Sequence, residues 1–182
     1  IDTAVAIYGE DAVSSNNIGY LYSLHASCYL PRRKTTSDNY THRTGAYSLH
    51  VEAGSLLDPN TDEWVKQPLP YGGKPRAFLA YVDTCIKTTA SPNVPLGRSF
   101  SDFVELMSGS ATGGAKGSIN AWKTQISALA AANISFGVNF AGERARSKKV
   151  PLADEIEVWF SKDKTQLSLF PSELIVSDKY FD

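Results

Sequence analysis

The chain has 182 residues and a formal net charge of −1, with 42% hydrophobic and 20% charged residues. This is the composition of an ordinary globular protein large enough to bury a core, and the net charge counts mildly against a polyanionic partner. No apolar run approaches the roughly 18 residues that a membrane span needs, so we expect no membrane partner and a cytoplasmic location. Since the chain begins with Ile1 rather than Met, we expect a processed piece of a longer protein. Because Asp182 interrupts the beginning of a helix, we also expect that a C-terminal segment is missing.

The first 73 residues predict β structure and a connector. IGYLYSLHASCYL (18–30) and AYSLHVEAG (46–54) have the aromatic, β-branched and alternating character of strands, so we predict an antiparallel pair. The polar, basic stretch 31–45 between them is predicted to be a long loop or hairpin tip. Three of the nine prolines lie in 55–73, which predicts a connector.

The next segment predicts two helices. PRAFLAYVDTCIKTT (75–89) has apolar residues at helical spacing, and 93–97 is predicted to be a short strand or turn. A second helix is predicted over 99–109, where Ser99 can cap the start and Gly109 lies where a C-terminal glycine belongs.

TGGAKGS (112–118) raises the question of a nucleotide-binding loop. A phosphate-binding GxxxxGK[ST] loop places Lys directly after its second glycine, but Ala115 follows Gly114 here and Lys116 comes one residue late. A helix rather than a strand also precedes the loop. We therefore predict a glycine turn between two helices, with Ser118 capping a third helix that extends to about Ala132.

The last third predicts strands and a charged tip. ISFGVNF (134–140) alternates as a half-buried strand, AGERARSKK (141–149) is predicted to be a hairpin tip, and VPLADEIEVWF (150–160) a returning strand. The stretch 167–182 predicts one or two further strands and the beginning of a helix.

The order of these elements predicts the fold class. A winged helix contains a helix-turn-helix followed by a two-stranded wing. The predicted elements follow that order, which is helix, short strand, helix, turn, helix, strand, charged tip and strand. We predict an α+β winged-helix-type domain over 1–182, with an N-terminal antiparallel hairpin packed on it. Its parts are a β-rich portion and connector (1–73), the helix-turn-helix and wing (74–160), and a C-terminal strand and helix start (161–182).

Charge is unevenly distributed along the chain. Residues 150–182 contain seven acids and three lysines, whereas no acid lies between residues 106 and 142. Opposite its apolar stripe the third helix carries small, uncharged side chains, which are Asn120, Ala121, Thr124 and Ala128, with Gln125 beside them. Asn, Gln, Ala and Thr can all contact base edges. The predicted DNA-binding residues of the turn, helix and wing are Lys116, Gly117, Ser118, Asn120, Ala121, Lys123, Thr124, Gln125, Arg144, Arg146, Lys148 and Lys149.

The sequence offers no catalytic or metal motif. His25, His42 and His50 are unclustered, and HxH, HExxH, GxSxG and CxxC are absent, so no catalytic residue, metal or cofactor is predicted. Cys28 and Cys85 have no ligand spacing and are more simply two buried thiols than a disulfide.

Several motifs in order resemble the plasmid-encoded RepA family of replication initiators. They are YLPRR (29–33), THRTGAYSLHV (41–51), LPYGGKPR (69–76), LGRSFSDF (96–103), TGGAKGSI (112–119), Gln125 to Leu129 and SELIVSDKYFD (172–182). The resemblance implies a non-enzymatic bacterial protein that binds repeated double-stranded sites at a plasmid origin, recruits host replication proteins such as a helicase or its loader, and often represses its own gene as a homodimer.

Two other functions remain open at this point. The domain could be a winged helix used for dimerisation or protein docking without sequence-specific DNA reading, which the near-neutral charge and the aromatic segment 18–30 suit. A nicking initiator with a tyrosine nucleophile and a metal bound by a histidine pair is the third alternative, and the isolated histidines argue against it.

Overall fold

The computed structural model of the chain describes residues 29–58, 61–114, 116–140, 142, 144–153 and 173–181. Over these ranges the protein is α+β, with antiparallel sheets and a cluster of helices. The described elements in chain order are β1 (Asn39–Thr44), β2 (Tyr47–Glu52), β3 (Ser55–Asp58), β4 (Glu63–Lys66), α1 (Gly73–Thr89), β5 (Asn93–Pro95), α2 (Phe100–Ser108), α3 (Ser118–Ala131), β6 (Asn133–Phe140), β7 (Arg144–Lys149), β8 (Glu173–Ile175) and α4 (Asp178–Phe181).

The N-terminal hairpin consists of β1 and β2, which turn at Gly45 with a φ of 59°. The predicted strand at 46–54 is confirmed as β2, but its partner β1 lies inside the stretch predicted as a loop or hairpin tip. Of the predicted strand 18–30, residues 18–28 lie outside the described residues, and 29–30 form no strand. The prediction missed β1 because this edge strand is polar and mostly exposed, so apolar alternation does not mark it.

The N-terminal hairpin and the hairpin formed by β6 and β7 share one four-stranded sheet with the order β1-β2-β6-β7. β2 pairs with β6 so that Leu49 lies opposite Phe136 and Val51 opposite Ile134, and all four side chains are buried. The N-terminal hairpin was predicted to pack on the domain. It instead joins the sheet edge to edge through β2 and β6, because buried side chains on both strands continue one apolar face.

The returning strand of the second hairpin lies earlier in the chain than predicted. The strand at 134–140 is confirmed as β6. It pairs antiparallel with β7, in a register that runs from Phe140 opposite Arg144 to Ser135 opposite Lys149. Residues 150–153 form no strand, and 154–160 lie outside the described residues. Every residue of β7 is exposed, so its sequence resembles a charged hairpin tip. Because its side chains do not alternate between apolar and polar, the sequence could not predict that β7 pairs with β6.

The three helices α1, α2 and α3 are confirmed, and each begins and ends within two residues of its predicted bounds. The Ser99 side chain accepts a hydrogen bond from the Asp102 amide at 3.1 Å, and Gly109 ends α2 with a φ of 74°. The predicted cap of α3 is wrong, because Gly117 occupies the cap position and Ser118 is the first helical residue.

An aromatic cluster joins the helices around Phe103, which is 1% exposed. The rings of Phe78 and Trp122 meet Phe103 edge-on at centroid distances of 5.7 and 5.9 Å. The Trp122 indole N–H donates to the Ser108 hydroxyl at 2.6 Å, which satisfies its one polar atom inside the core. This contact fixes α3 against α2.

The chain end described at 173–181 also packs on the helices. β8 pairs with β5, and the Tyr180 hydroxyl in α4 donates to the Asp83 carboxylate in α1 at 2.7 Å. The strand and the beginning of a helix that were predicted within 167–182 are thereby confirmed as β8 and α4. The stretch 55–73 was predicted to be a connector, but it contains the hairpin β3–β4. Among the described helices, none is long and apolar enough to cross a membrane.

Candidate nucleic-acid interface

β6 and β7 form a cationic hairpin at one edge of the sheet, which we call the basic hairpin (133–149). Paired residues share a sheet face, so Arg144, Arg146 and Lys148 lie on the face that carries Phe140, Val138 and Phe136. Burial along β6 declines from the buried Phe136 to Phe140, which is 40% exposed. The distal part of the basic hairpin therefore extends past the core.

The cations of β7 are available to an anionic partner. Arg144, Arg146, Lys148 and Lys149 are all exposed, and none forms an ion pair with any residue that the structure describes. The Arg144 guanidinium lies 4.7 Å from the centre of the Phe140 ring, a contact that orients its charge without neutralising it.

The outward face of α3 is narrow. Asn120 and Thr124 are exposed one turn apart, and Ala121 and Lys123 border them as half-buried side chains. The Thr124 hydroxyl donates to the Asn120 carbonyl at 2.9 Å, so its methyl group and a lone pair remain for other contacts. Partial burial lowers the pKa of the Lys123 ammonium.

Two predicted members of this face lie inside the protein. Gln125 is 5% exposed, and its Oε1 accepts a hydrogen bond from the Tyr71 backbone N–H at 2.8 Å. Ala128 is fully buried. The placement of Gln125 on the outward face is therefore corrected. Its amide carbonyl satisfies a backbone donor of the segment before α1, a distant contact that helical periodicity does not show.

Thr112 and Ser118 close the glycine turn. The Thr112 amide donates to the Ser118 hydroxyl, and the Ser118 amide donates to the Thr112 hydroxyl, both at 2.9 Å. The Ile119 amide donates to the Thr112 carbonyl at 3.2 Å. Thr112 thus already accepts hydrogen bonds from the Ser118 and Ile119 amides at the start of α3, whereas the Lys116 side chain is exposed.

Gly117 has a structural reason to be glycine. A Cβ atom at this buried position would lie 2.3 Å from the backbone oxygens of Thr112 and Gly113. The turn itself spans the nine residues 109–117, longer than the three or four of a compact helix-turn-helix. Its hydrogen bonds hold the start of α3, and the missing side chain of Gly117 leaves room for the Thr112 and Gly113 carbonyls in this turn.

The sequence did not reveal a second cationic cluster, in which Arg32 and Arg76 meet at the ring of Tyr29. The two arginines are more than forty residues apart, so no local pattern joins them. A usable signal was the lack of any acid in 29–37 and 67–82. Among the described residues, no group of three His, Cys, Asp or Glu could hold a metal ion, and Cys85 is a half-buried free thiol.

These features define a class of small α+β domain, in which a three-helix cluster supports an antiparallel sheet with a cationic hairpin at one edge. Residues 69–182 match the family described as plasmid encoded RepA protein, so the chain belongs to that family and is a plasmid replication protein. The predicted resemblance is confirmed, and the match begins just before α1. No curated protein and no solved structure matched the chain.

Proposed function

We propose that the protein is a replication initiator that binds repeated double-stranded sites at a plasmid origin. In this proposal α1, α2, α3 and the basic hairpin act as a winged helix. The observation that carries it is the row of four exposed cations on β7, none of which is paired with a described acid. Such cations supply the sequence-independent part of DNA affinity by releasing counterions from phosphates.

Base reading is assigned to α3. Its exposed Asn120 can bind the edge of adenine, and the Thr124 methyl group and Ala121 can contact a thymine methyl group in the major groove. The proposal assigns phosphate contacts to Lys116 in the turn and Lys123 at the border of the face. Gln125 and Gly117 act by holding the structure and are left out of the contact surface.

The salt dependence of DNA binding tests this assignment. The double variant Arg144→Ala/Arg146→Ala removes two phosphate contacts, so the slope of log K against log salt should become shallower by about 1.8. The preference for origin repeats over random duplex should persist, because these contacts carry no base information. Lys87→Ala, an exposed cation in the last turn of α1, is the control and should leave the slope unchanged.

Two results would refute the proposal. One is equal affinity for origin and random duplex at physiological salt, and the other is an unchanged slope in the double variant. A footprint on the plasmid origin extends the test, since we expect protection at regularly spaced repeats. The wider role in this proposal is that of a cytoplasmic, non-enzymatic protein that recruits a helicase or its loader and represses its own gene as a dimer.

One observation favours a second candidate, a dimerisation or docking module. The hairpin β3–β4 exposes Trp64 at 73% and Leu57 at 42%, and these two side chains lie directly opposite each other. Exposed apolar pairs of this kind are typical of protein contact surfaces. Molar mass in solution combined with a gel-shift titration separates the candidates, because a tight dimer without DNA binding would favour the docking module.

A further inference from the structure

A second group of cations lies where the loop before β1 meets the start of α1. The Gly72 amide donates to the Pro31 carbonyl at 2.9 Å, which holds these two distant segments together. We call the group the edge cluster, and it comprises Tyr29, Arg32, Arg33, Lys34, Lys74 and Arg76.

The centre of the edge cluster is the ring of Tyr29. The Arg32 guanidinium carbon lies 4.9 Å from the ring centre, and that of Arg76 lies 5.6 Å from it. The imidazole of His42 contacts the same ring at a centroid distance of 4.1 Å. One aromatic side chain therefore gathers two permanent cations and a titratable ring.

No ion pair within the described part of the chain offsets this charge. No acid occurs in 29–37 or 67–82, and none of the five cations forms an ion pair with a described residue. Two of them, Lys74 and Arg76, lie in the first turn of α1, which has no acid. The positive end of a helix dipole disfavours cations there. The arrangement is unfavourable by itself and becomes favourable when an anion binds.

The edge cluster is separate from the basic hairpin. The Tyr29 ring at its centre contacts His42 of β1, and β1 and β7 are the two outer strands of the four-stranded sheet. Three strand spacings, about 14 Å, therefore separate the backbone at His42 from the strand that carries the four exposed cations. That distance equals the rise of about four base pairs of duplex. A ligand that contacts both the edge cluster and the cations of the basic hairpin must therefore be extended, as DNA is.

The surface chemistry favours a phosphate backbone over a protein partner. Protein interfaces have an extended apolar centre, whereas the one aromatic ring of the edge cluster, Tyr29, is half-buried beneath two guanidinium groups. The large apolar side chains that the described chain exposes are Tyr47, Leu57, Trp64, Val65, Leu106, Phe140 and Ile175, none of which belongs to the edge cluster. Arginine forks are suited to the paired oxygens of phosphate.

We propose that the edge cluster is a second DNA-contact surface, which binds backbone phosphates outside the segment contacted by α3 and the basic hairpin. This proposal rests on the proposed DNA-binding function. Its contacts add affinity and footprint length without adding sequence preference, because phosphates are the same at every base pair.

The test is an origin-DNA titration over a range of salt concentrations, with a footprint on the same duplex. Arg32→Ala/Arg76→Ala should make the salt slope shallower by about 1.8 and shorten the protected segment, with the preference for origin over random duplex retained. Arg32→Lys/Arg76→Lys keeps the charges and should retain most of the slope. Lys87→Ala, at the opposite end of α1, is the matched control.

The possible outcomes separate this proposal from the one on which it rests. Suppose that the wild type binds origin DNA and that the hairpin variant Arg144→Ala/Arg146→Ala makes the salt slope shallower. If the alanine variant of the edge cluster then leaves the slope unchanged, the edge cluster makes no phosphate contact and only this proposal fails. Equal loss in the lysine and alanine variants would show that packing on Tyr29 matters rather than charge, which also overturns it. A wild type that binds no DNA would overturn both proposals.

Discussion

Substitution of Gly117 by alanine tests how the glycine turn positions α3. The backbone at Gly117 has a φ of −73° and a ψ of 161°, which alanine adopts readily, so the obstacle is space alone. The new methyl group would lie 2.3 Å from two backbone oxygens, about 1 Å closer than ordinary contact. Crowding of this kind costs about 1 to 3 kcal/mol, and each lost Thr112–Ser118 hydrogen bond adds about 1 kcal/mol. We therefore expect Gly117→Ala to lower the free energy of unfolding by about 2 to 4 kcal/mol.

Urea unfolding of this variant beside Gly113→Ala provides the measurement. A Cβ atom at Gly113 would meet nothing within 4 Å, and its φ is not left-handed, so Gly113→Ala should leave stability unchanged or raise it by up to about 1 kcal/mol. Equal midpoints for the two variants would refute the packing argument. Normal stability of Gly117→Ala with lost DNA affinity would also refute it, because Gly117 would then serve close approach to DNA.

Two further substitutions test contacts inside the protein. Burial raises the pKa of Asp83 from an ordinary value near 3.8 to about 6, although the hydrogen bond from Tyr180 acts in the opposite direction. Because the folded state binds this proton more tightly than the unfolded state, the free energy of unfolding is highest below pH 3.8 and falls by up to about 3 kcal/mol as the pH rises through 6. Asp83→Asn keeps an acceptor for the Tyr180 hydroxyl and should be more stable than the wild type at pH 7.5, with the advantage disappearing toward pH 4; chemical unfolding at both pH values checks this, and a pH-independent difference would contradict it. Gln125→Ala leaves the amide of the half-buried Tyr71 without its acceptor and should lower the free energy of unfolding by about 1 to 3 kcal/mol. Base preference in competition gel shifts should stay unchanged, so an altered preference in a stable variant would return Gln125 to the DNA-reading face.

Short-range signals in the sequence located most of the described elements. Apolar spacing predicted α1, α2 and α3, and alternation predicted β2 and β6, because burial of one face of a helix or strand sets a local period. The cap residues Ser99 and Gly109 marked both ends of α2. The cations of the basic hairpin were also found from sequence, since uncompensated charge shows in composition alone.

The pairing of strands and the inside of the site were decided by tertiary structure. β1 and β7 are polar edge strands that pair with their hairpin neighbours β2 and β6, and their mostly exposed side chains show no alternation that would mark them as strands. The two hairpins meet only through β2 and β6, which are more than eighty residues apart in the chain. Gln125 lies in the interior because the Tyr71 amide, 54 residues away, needs its carbonyl. The Thr112–Ser118 hydrogen bonds likewise replace the cap that the sequence indicated.

The sequence by itself therefore determined the class of the chain, its helices and the location of its positive charge. Tertiary structure decided which strands pair, which helix residues reach solvent, and that Arg32 and Arg76 meet at Tyr29. The physical reason is that helical period, caps and charge are local properties of the chain. Sheet pairing and the satisfaction of buried polar groups instead depend on partners that only folding brings together.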